Sequence, residues 1–91
     1  MLDIKKIREE TKKNGSEKVS KFIAEFEREI EDASSLGYVF VTMQISTALL
    51  LNRDFIDPLE KHFLDLGFFV DVPEMKGWSN HLEVMVRWVE I

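Results

Sequence analysis

The fold is decided by the stretch VSKFIAEFEREIEDASSLGYVFVTMQIS, residues 19–46, within which the spacing of the apolar residues changes. In its first part they recur every three or four positions, as on one face of a helix: Val19, Phe22, Ile23, Phe26, Ile30 and Ala33. From Tyr38 to Ser46 they alternate, so Val39, Val41, Met43 and Ile45 share one face of a predicted strand, and Tyr38, Phe40, Thr42, Gln44 and Ser46 share the other. The stretch therefore predicts a helix stopped at Gly37, followed by a half-buried strand.

Before this stretch the chain predicts a second, weaker helix. Residues 2–13 contain Leu2, Ile4 and Ile7 as their apolar members. The pair Asn14-Gly15 is a typical break signal, and Ser16 stands where a helix N-cap belongs. We therefore expect a short helix, a break at Asn14-Gly15, and a new helix beginning after Ser16.

After the first strand, a further helix is predicted from the buried stripe Phe55, Ile56, Leu59, Phe63 and Leu66. Its start has two alternatives: Asn52 caps it and Pro58 lies inside, or Asp57 caps it and Pro58 takes the first position. Residues 68–72 then predict a strand, residues 73–80 a loop, and residues 82–91 a last strand.

The resulting fold class is α+β, in the order α-α-β-α-β-β, within a single domain of residues 1–91. Residues 1–15 are expected as a separate short helix or arm. We predict a three-stranded sheet, mixed or antiparallel, with the apolar final strand in the middle; direct parallel pairing of the first two strands is the alternative. The helices should cover one face, lined by Val39, Val41, Val70, Val84 and Val86.

Composition limits where and how the chain can act. It has no cysteine, which excludes disulfides, thiolate metal sites and a cysteine nucleophile. The N-terminus becomes charged at once, unlike a signal peptide, and the uncharged run 33–52 contains several Ser and Thr in a strand-like alternation. We therefore expect a cytoplasmic protein that does not interact with membranes.

The net charge of −5 is unevenly distributed along the chain. Residues 1–21 carry seven Lys and Arg against four Asp and Glu, whereas residues 22–91 carry five against thirteen. An acidic body argues against nucleic acid as a partner, although Lys5, Lys6, Lys12 and Lys13 could form a local contact patch.

No constellation of residues points to catalysis, a metal or a cofactor. His62 and His81 have no third histidine to complete a metal site. Ser79 and His81 lack the context of an activated nucleophile, and the acidic residues 25–32 alternate with a buried stripe, as on a solvated helix face. The sequence thus predicts no enzymatic activity.

The second face of the predicted sheet is more apolar than a solvated face requires. It includes Tyr38, Phe40, Phe69, Met85, Val89 and Ile91 beside polar residues such as Thr42, Gln44 and Arg87. Three alternatives remain for what covers this face: the N-terminal helix, a second copy of the chain, or a different partner. The predicted interface residues are Tyr38, Phe40, Phe69, Met85 and Val89, with Trp78 at the rim.

The C-terminal part of the chain contains a sequence pattern that is found in other proteins. The segment LEKHFLDLGFFV at residues 59–70, followed by a loop and LEVMVRW at residues 82–88, resembles a pattern in small bacteriophage-encoded accessory proteins, over residues 55–91 as a whole. That resemblance implies a compact, often oligomeric factor that binds or inhibits a host protein.

Together these features predict a non-enzymatic interaction protein, a homo-oligomer with a host protein as a further partner. The alternative is a binder of a small ligand, such as a nucleotide or metabolite. Its pocket would lie between subunits or under the Trp78 loop, with Arg87 and His81 as polar contacts.

Overall fold

A computed structural model describes residues 2–74 and 80–90 and confirms the α+β class and a three-stranded sheet. Its elements, in chain order, are α1 (Ile4–Ser35), β1 (Phe40–Ser46), α2 (Thr47–Leu50), α3 (Arg53–Asp65), β2 (Phe69–Asp71) and β3 (His81–Arg87). Gly37 follows α1 and Gly67 follows α3, and both have positive φ angles (84° and 93°), a conformation that glycine adopts without a Cβ penalty.

The predicted break at Asn14-Gly15 is wrong, because α1 is continuous over 32 residues. Its N-cap is Asp3, whose carboxylate accepts a hydrogen bond from the backbone N–H of Lys5 at 3.0 Å, so the cap predicted at Ser16 is not used. The expected separate helix or arm at residues 1–15 is not separate, because residues 4–15 form the first part of α1. Residues 2–14 are exposed, whereas Gly15 is buried.

The structure resolves the two alternatives for the start of α3. Asn52 is the N-cap, its side chain accepting a hydrogen bond from the backbone N–H of Asp54 at 3.0 Å, and Pro58 lies inside the helix. The short helix α2 was not predicted. Leu66, expected in the buried stripe, follows the end of α3 and is exposed.

The strand order is β1-β3-β2, so the final strand lies in the middle, as predicted. Both neighbours run antiparallel to it, which rules out the parallel pairing of β1 with β2. The register places Val41 opposite Val86 and Phe40 opposite Arg87. The last strand ends at Arg87 rather than at residue 91, and β2 is shorter than the predicted 68–72.

The core lies between α1, α3 and the inner face of the sheet. Its buried members are Val19, Phe26, Ala33, Val41, Ile45, Leu50, Phe55, Ile56, Leu59, Phe63, Val84 and Val86. Val39 was predicted on this face but is exposed, because it precedes the first residue of β1. Across residues 2–74 and 80–90, no helix is both long and apolar enough to cross a membrane.

Candidate interaction surface

The outer face of the sheet is organised in rows by the strand register. One row runs from Phe40 on β1 through Arg87 on β3 to Phe69 on β2. The next row contains Thr42, Met85 and Asp71. Residues directly opposite each other in a sheet point to the same side, so the predicted interface residues on these strands do share one face.

Arg87 is the residue that organises the middle of this face. Its guanidinium carbon lies 4.4 Å from the centre of the Phe69 ring, a cation–π geometry. Its Nε donates a hydrogen bond to Asp71 Oδ2 at 2.8 Å, and its Nη1 donates one to the carbonyl of Val89 at 3.0 Å. The Arg87 side chain is only 19% exposed, and its contacts link β2, β3 and the residues that follow β3.

Phe40 and Phe69 lie in the row of the outer face where β1 begins and β3 ends, and Tyr38 and Val89 stand close to that end along the chain. Tyr38 is 61% exposed, Phe40 43% and Val89 38%, while Phe69 and Met85 are half-buried. We call these five residues the apolar end. Towards the other end of the face the side chains are polar and exposed: Thr42, Gln44 and Glu83.

The N-terminal helix does not cover this face, contrary to one of the three alternatives. It is part of α1, which packs through Val19, Phe26 and Ala33 against the inner face. Trp78, predicted at the rim of the interface, lies outside the described residues, as does Ile91, which was predicted on the same face but not in the interface. Within the ranges that the structure describes, the apolar end is therefore left open to solvent.

A shallow groove accompanies the apolar end. Residues Gly37 to Thr42 line a concavity of about 520 Å³ along the start of β1. Because β1 is at the edge of the sheet, this groove runs beside a strand that has no neighbour on its outer side among the described residues. The sequence analysis did not identify this edge as part of the site, although placing the final strand in the middle already implied it.

The residues proposed for a small-ligand site are not brought together. Arg87 and His81 stand at opposite ends of β3, six residues and therefore about 20 Å apart. Two donor nitrogens of Arg87, Nε and Nη1, already bond to its own chain. A ligand contacting both side chains would have to span most of the length of the strand.

The other polar candidates are distributed over the helices. His62 Nε2 lies 2.8 Å from Glu27 Oε1, which links α3 to α1 on a partly exposed surface. Lys5, Lys6, Lys12 and Lys13 are exposed on the first part of α1. Ser79 lies outside the described residues, and no group of three or more potential metal ligands occurs in the described part of the chain.

One ion pair on α3 changes the pKa of its lysine. Lys61 Nζ donates a hydrogen bond to Asp65 Oδ2 at 2.8 Å, one turn further along the helix. That hydrogen bond, and then the charge of Asp65, raises the pKa of Lys61 above its usual value. The pair lies on the exposed side of α3, away from the outer face of the sheet.

Comparison of the chain with models of known protein families, with curated proteins and with solved structures gave no match.

Proposed function

We propose that the protein is a cytoplasmic, non-enzymatic interaction protein that associates with itself through the apolar end of its outer sheet face. The observation that carries this proposal is the exposure of Tyr38, Phe40 and Val89 at one end of a sheet whose outer face no helix of the described residues covers. A contiguous apolar patch of several hundred Å² on a small protein is typical of an interaction site.

The size of the apolar end determines how strong an association we expect. One end of a three-stranded sheet buries less than about 1,200 Å² in total when two copies meet, which is the range of weak and transient interfaces. We therefore expect a monomer–oligomer equilibrium that responds to protein concentration. The same surface is then available, in the monomer, to a host protein partner of the kind that the resemblance of residues 55–91 implies.

The test is sedimentation velocity over a range of protein concentrations, comparing the natural chain with a Phe40→Lys and Met85→Lys double variant. Placing two cations in the apolar end should prevent association, because each ammonium group would have to lose its water on burial. The double variant should remain a folded monomer by circular dichroism at concentrations where the natural chain associates.

A matched control carries the same added charge elsewhere. Ser20 and Ala24 are exposed on α1, so a Ser20→Lys and Ala24→Lys variant gains two positive charges without touching the sheet. It should associate as the natural chain does. A natural chain that stays monomeric at all concentrations, or a folded double variant that still associates, would refute the proposal.

A further inference from the structure

Among the described residues no strand pairs with the outer edge of β1, and the hydrogen bonds at the two ends of β1 show which residues form this edge. The N–H of Trp88 donates to the carbonyl of Val39 at 3.2 Å, and the N–H of Thr47 donates to the carbonyl of Asn80 at 2.8 Å. In an antiparallel ladder, alternate residues turn their backbone groups toward the partner strand. The odd-numbered residues therefore face β3, and Phe40, Thr42 and Gln44 turn their N–H and C=O groups toward the open edge.

This edge lacks the features by which proteins usually prevent strands from pairing with other chains. Such features are charged side chains, proline, bulges and very short strands. The run 33–52, which contains all of β1, has no charged residue and no proline. The register from Phe40 to Ser46 is continuous, without a bulge.

The opposite edge of the same sheet is protected in the usual ways. Strand β2 has only three residues and ends at Asp71, and Pro73 and Glu74 follow it. Two edges of one small sheet thus differ in length and in charge. The difference makes β1 the edge better suited to pairing with another strand.

We propose that β1 pairs antiparallel with β1 of a second copy, so that two three-stranded sheets become one six-stranded sheet. This inference rests on the proposed self-association and gives its geometry. Electrostatics favour a second copy as the occupant. In a two-fold pair β1 lies against the same strand of the other copy, so a strand of one charge would repel itself, whereas β1 has no charged residue in a chain of net charge −5.

The position of the groove places the contact in the first half of β1. The concavity follows Gly37 to Thr42 and leaves space for a second strand beside these residues, so we place the two-fold axis there and not beside Ser46. Phe40 and Tyr38 of both copies then adjoin the axis on the outer face. Pairing of the edges thereby joins the two apolar ends into one surface, with cross-strand aromatic contacts of the kind that stabilise sheets.

The experiment is residue-resolved amide hydrogen exchange by NMR, above and below the concentration at which the natural chain associates. In the oligomer the amides of Phe40 and Thr42 should exchange at least about tenfold more slowly, which corresponds to about 1.4 kcal/mol of opening free energy. The amides of Val41, Met43 and Ile45 face β3 and should be slow at both concentrations.

A backbone variant supplies the second measurement. Thr42→Pro removes an N–H that faces the open edge and no hydrogen bond to β3, so it should abolish association while the sheet remains. Thr42→Val, which keeps the N–H and suits a strand, should associate normally.

The outcomes separate the two proposals. An oligomer in which Phe40 and Thr42 exchange as fast as in the monomer would overturn edge pairing and leave association through the outer face standing. A chain that is monomeric at every concentration would overturn both. If Thr42→Pro does not fold, the exchange pattern of the natural chain still decides between them.

Discussion

Asn52 packs against Gly15 so closely that a Cβ added at Gly15 would lie 2.5 Å from Asn52 Nδ2. The amide of Asn52 makes two hydrogen bonds from this position. Its Oδ1 accepts from the N–H of Asp54 at the start of α3, and its Nδ2 donates to the carbonyl of Thr11 at 3.1 Å. Gly15 is therefore required for the close approach of α1 to the start of α3.

This contact predicts that the effect of Gly15→Ala on stability depends on residue 52. Alanine is better than glycine inside a helix by about 1 kcal/mol. In the natural chain, however, the new methyl group displaces Asn52, which costs about 1 kcal/mol for the lost N-cap and a similar amount for the bond to Thr11. The net expectation is a loss of about 1 kcal/mol in the free energy of unfolding, measured by urea denaturation.

In an Asn52→Ala background the same substitution should change sign. The cap and its hydrogen bonds are already absent there, so only the gain in helix propensity remains, up to about 1 kcal/mol. An equal effect of Gly15→Ala in the two backgrounds would show that the methyl group does not act through Asn52.

The same contact explains why the sequence predicted a break in α1. Asn-Gly is a turn signal when only the neighbouring residues are considered. The glycine at position 15 is needed because of Asn52, which is far away along the chain, and no local sequence pattern reveals this contact. A helix was predicted on each side of Gly15 and both parts belong to α1, but their continuity was not predicted.

The sheet could be predicted better than the continuity of α1, because the alternation of residues in a strand assigns its side chains to the two faces directly. Phe40, Phe69 and Met85 were placed correctly on the outer face. The end of β3 was predicted wrongly, because the alternation of apolar residues continues through Val89 and Ile91. The ladder ends at Arg87 because its partners on both sides, Phe40 and Phe69, are the first residues of their strands. The contacts of Arg87 with Phe69 and Asp71 likewise depend on a strand register that the sequence alone does not provide.

Arg87 and Asp71 should show a measurable but small coupling. Replacing Arg87 by Ala removes the cation–π contact with Phe69 and the bond to Val89, and should cost about 1–2 kcal/mol. Asp71 is half-exposed, so solvent screens the ion pair and a double-mutant cycle should give a coupling of no more than about 1 kcal/mol. A coupling of zero by urea denaturation would mean that the ion pair does not contribute to stability.

Phe63 should be the most sensitive position among the aromatic residues of the core. It is fully buried and makes edge-to-face contacts with Phe26 and Phe68, at centroid distances of 5.6 and 5.9 Å. Phe63→Ala should therefore lower the free energy of unfolding by about 3–5 kcal/mol, a large fraction of the stability of a small domain.

The matched control for Phe63→Ala is the same substitution at Phe40, on the outer face. At a concentration where the chain is monomeric, Phe40→Ala should cost less than about 1 kcal/mol. Thermal or urea unfolding of both variants checks the comparison. Similar losses at the two positions would mean that Phe40 is part of the folded core and not of an open surface.

The first two turns of α1 should be dispensable for folding and for association. Ile4 and Ile7 are exposed, and Leu2 is 87% exposed. Deleting residues 2–8 should therefore change the free energy of unfolding by no more than about 0.5 kcal/mol. Deleting residues 2–15 also removes Gly15 and the carbonyl of Thr11, and should cost at least about 1 kcal/mol more. Sedimentation of the shorter deletion should match the natural chain, because β1 and the apolar end are intact. Loss of association in that folded variant would show that the start of α1, and not the sheet, forms the interface.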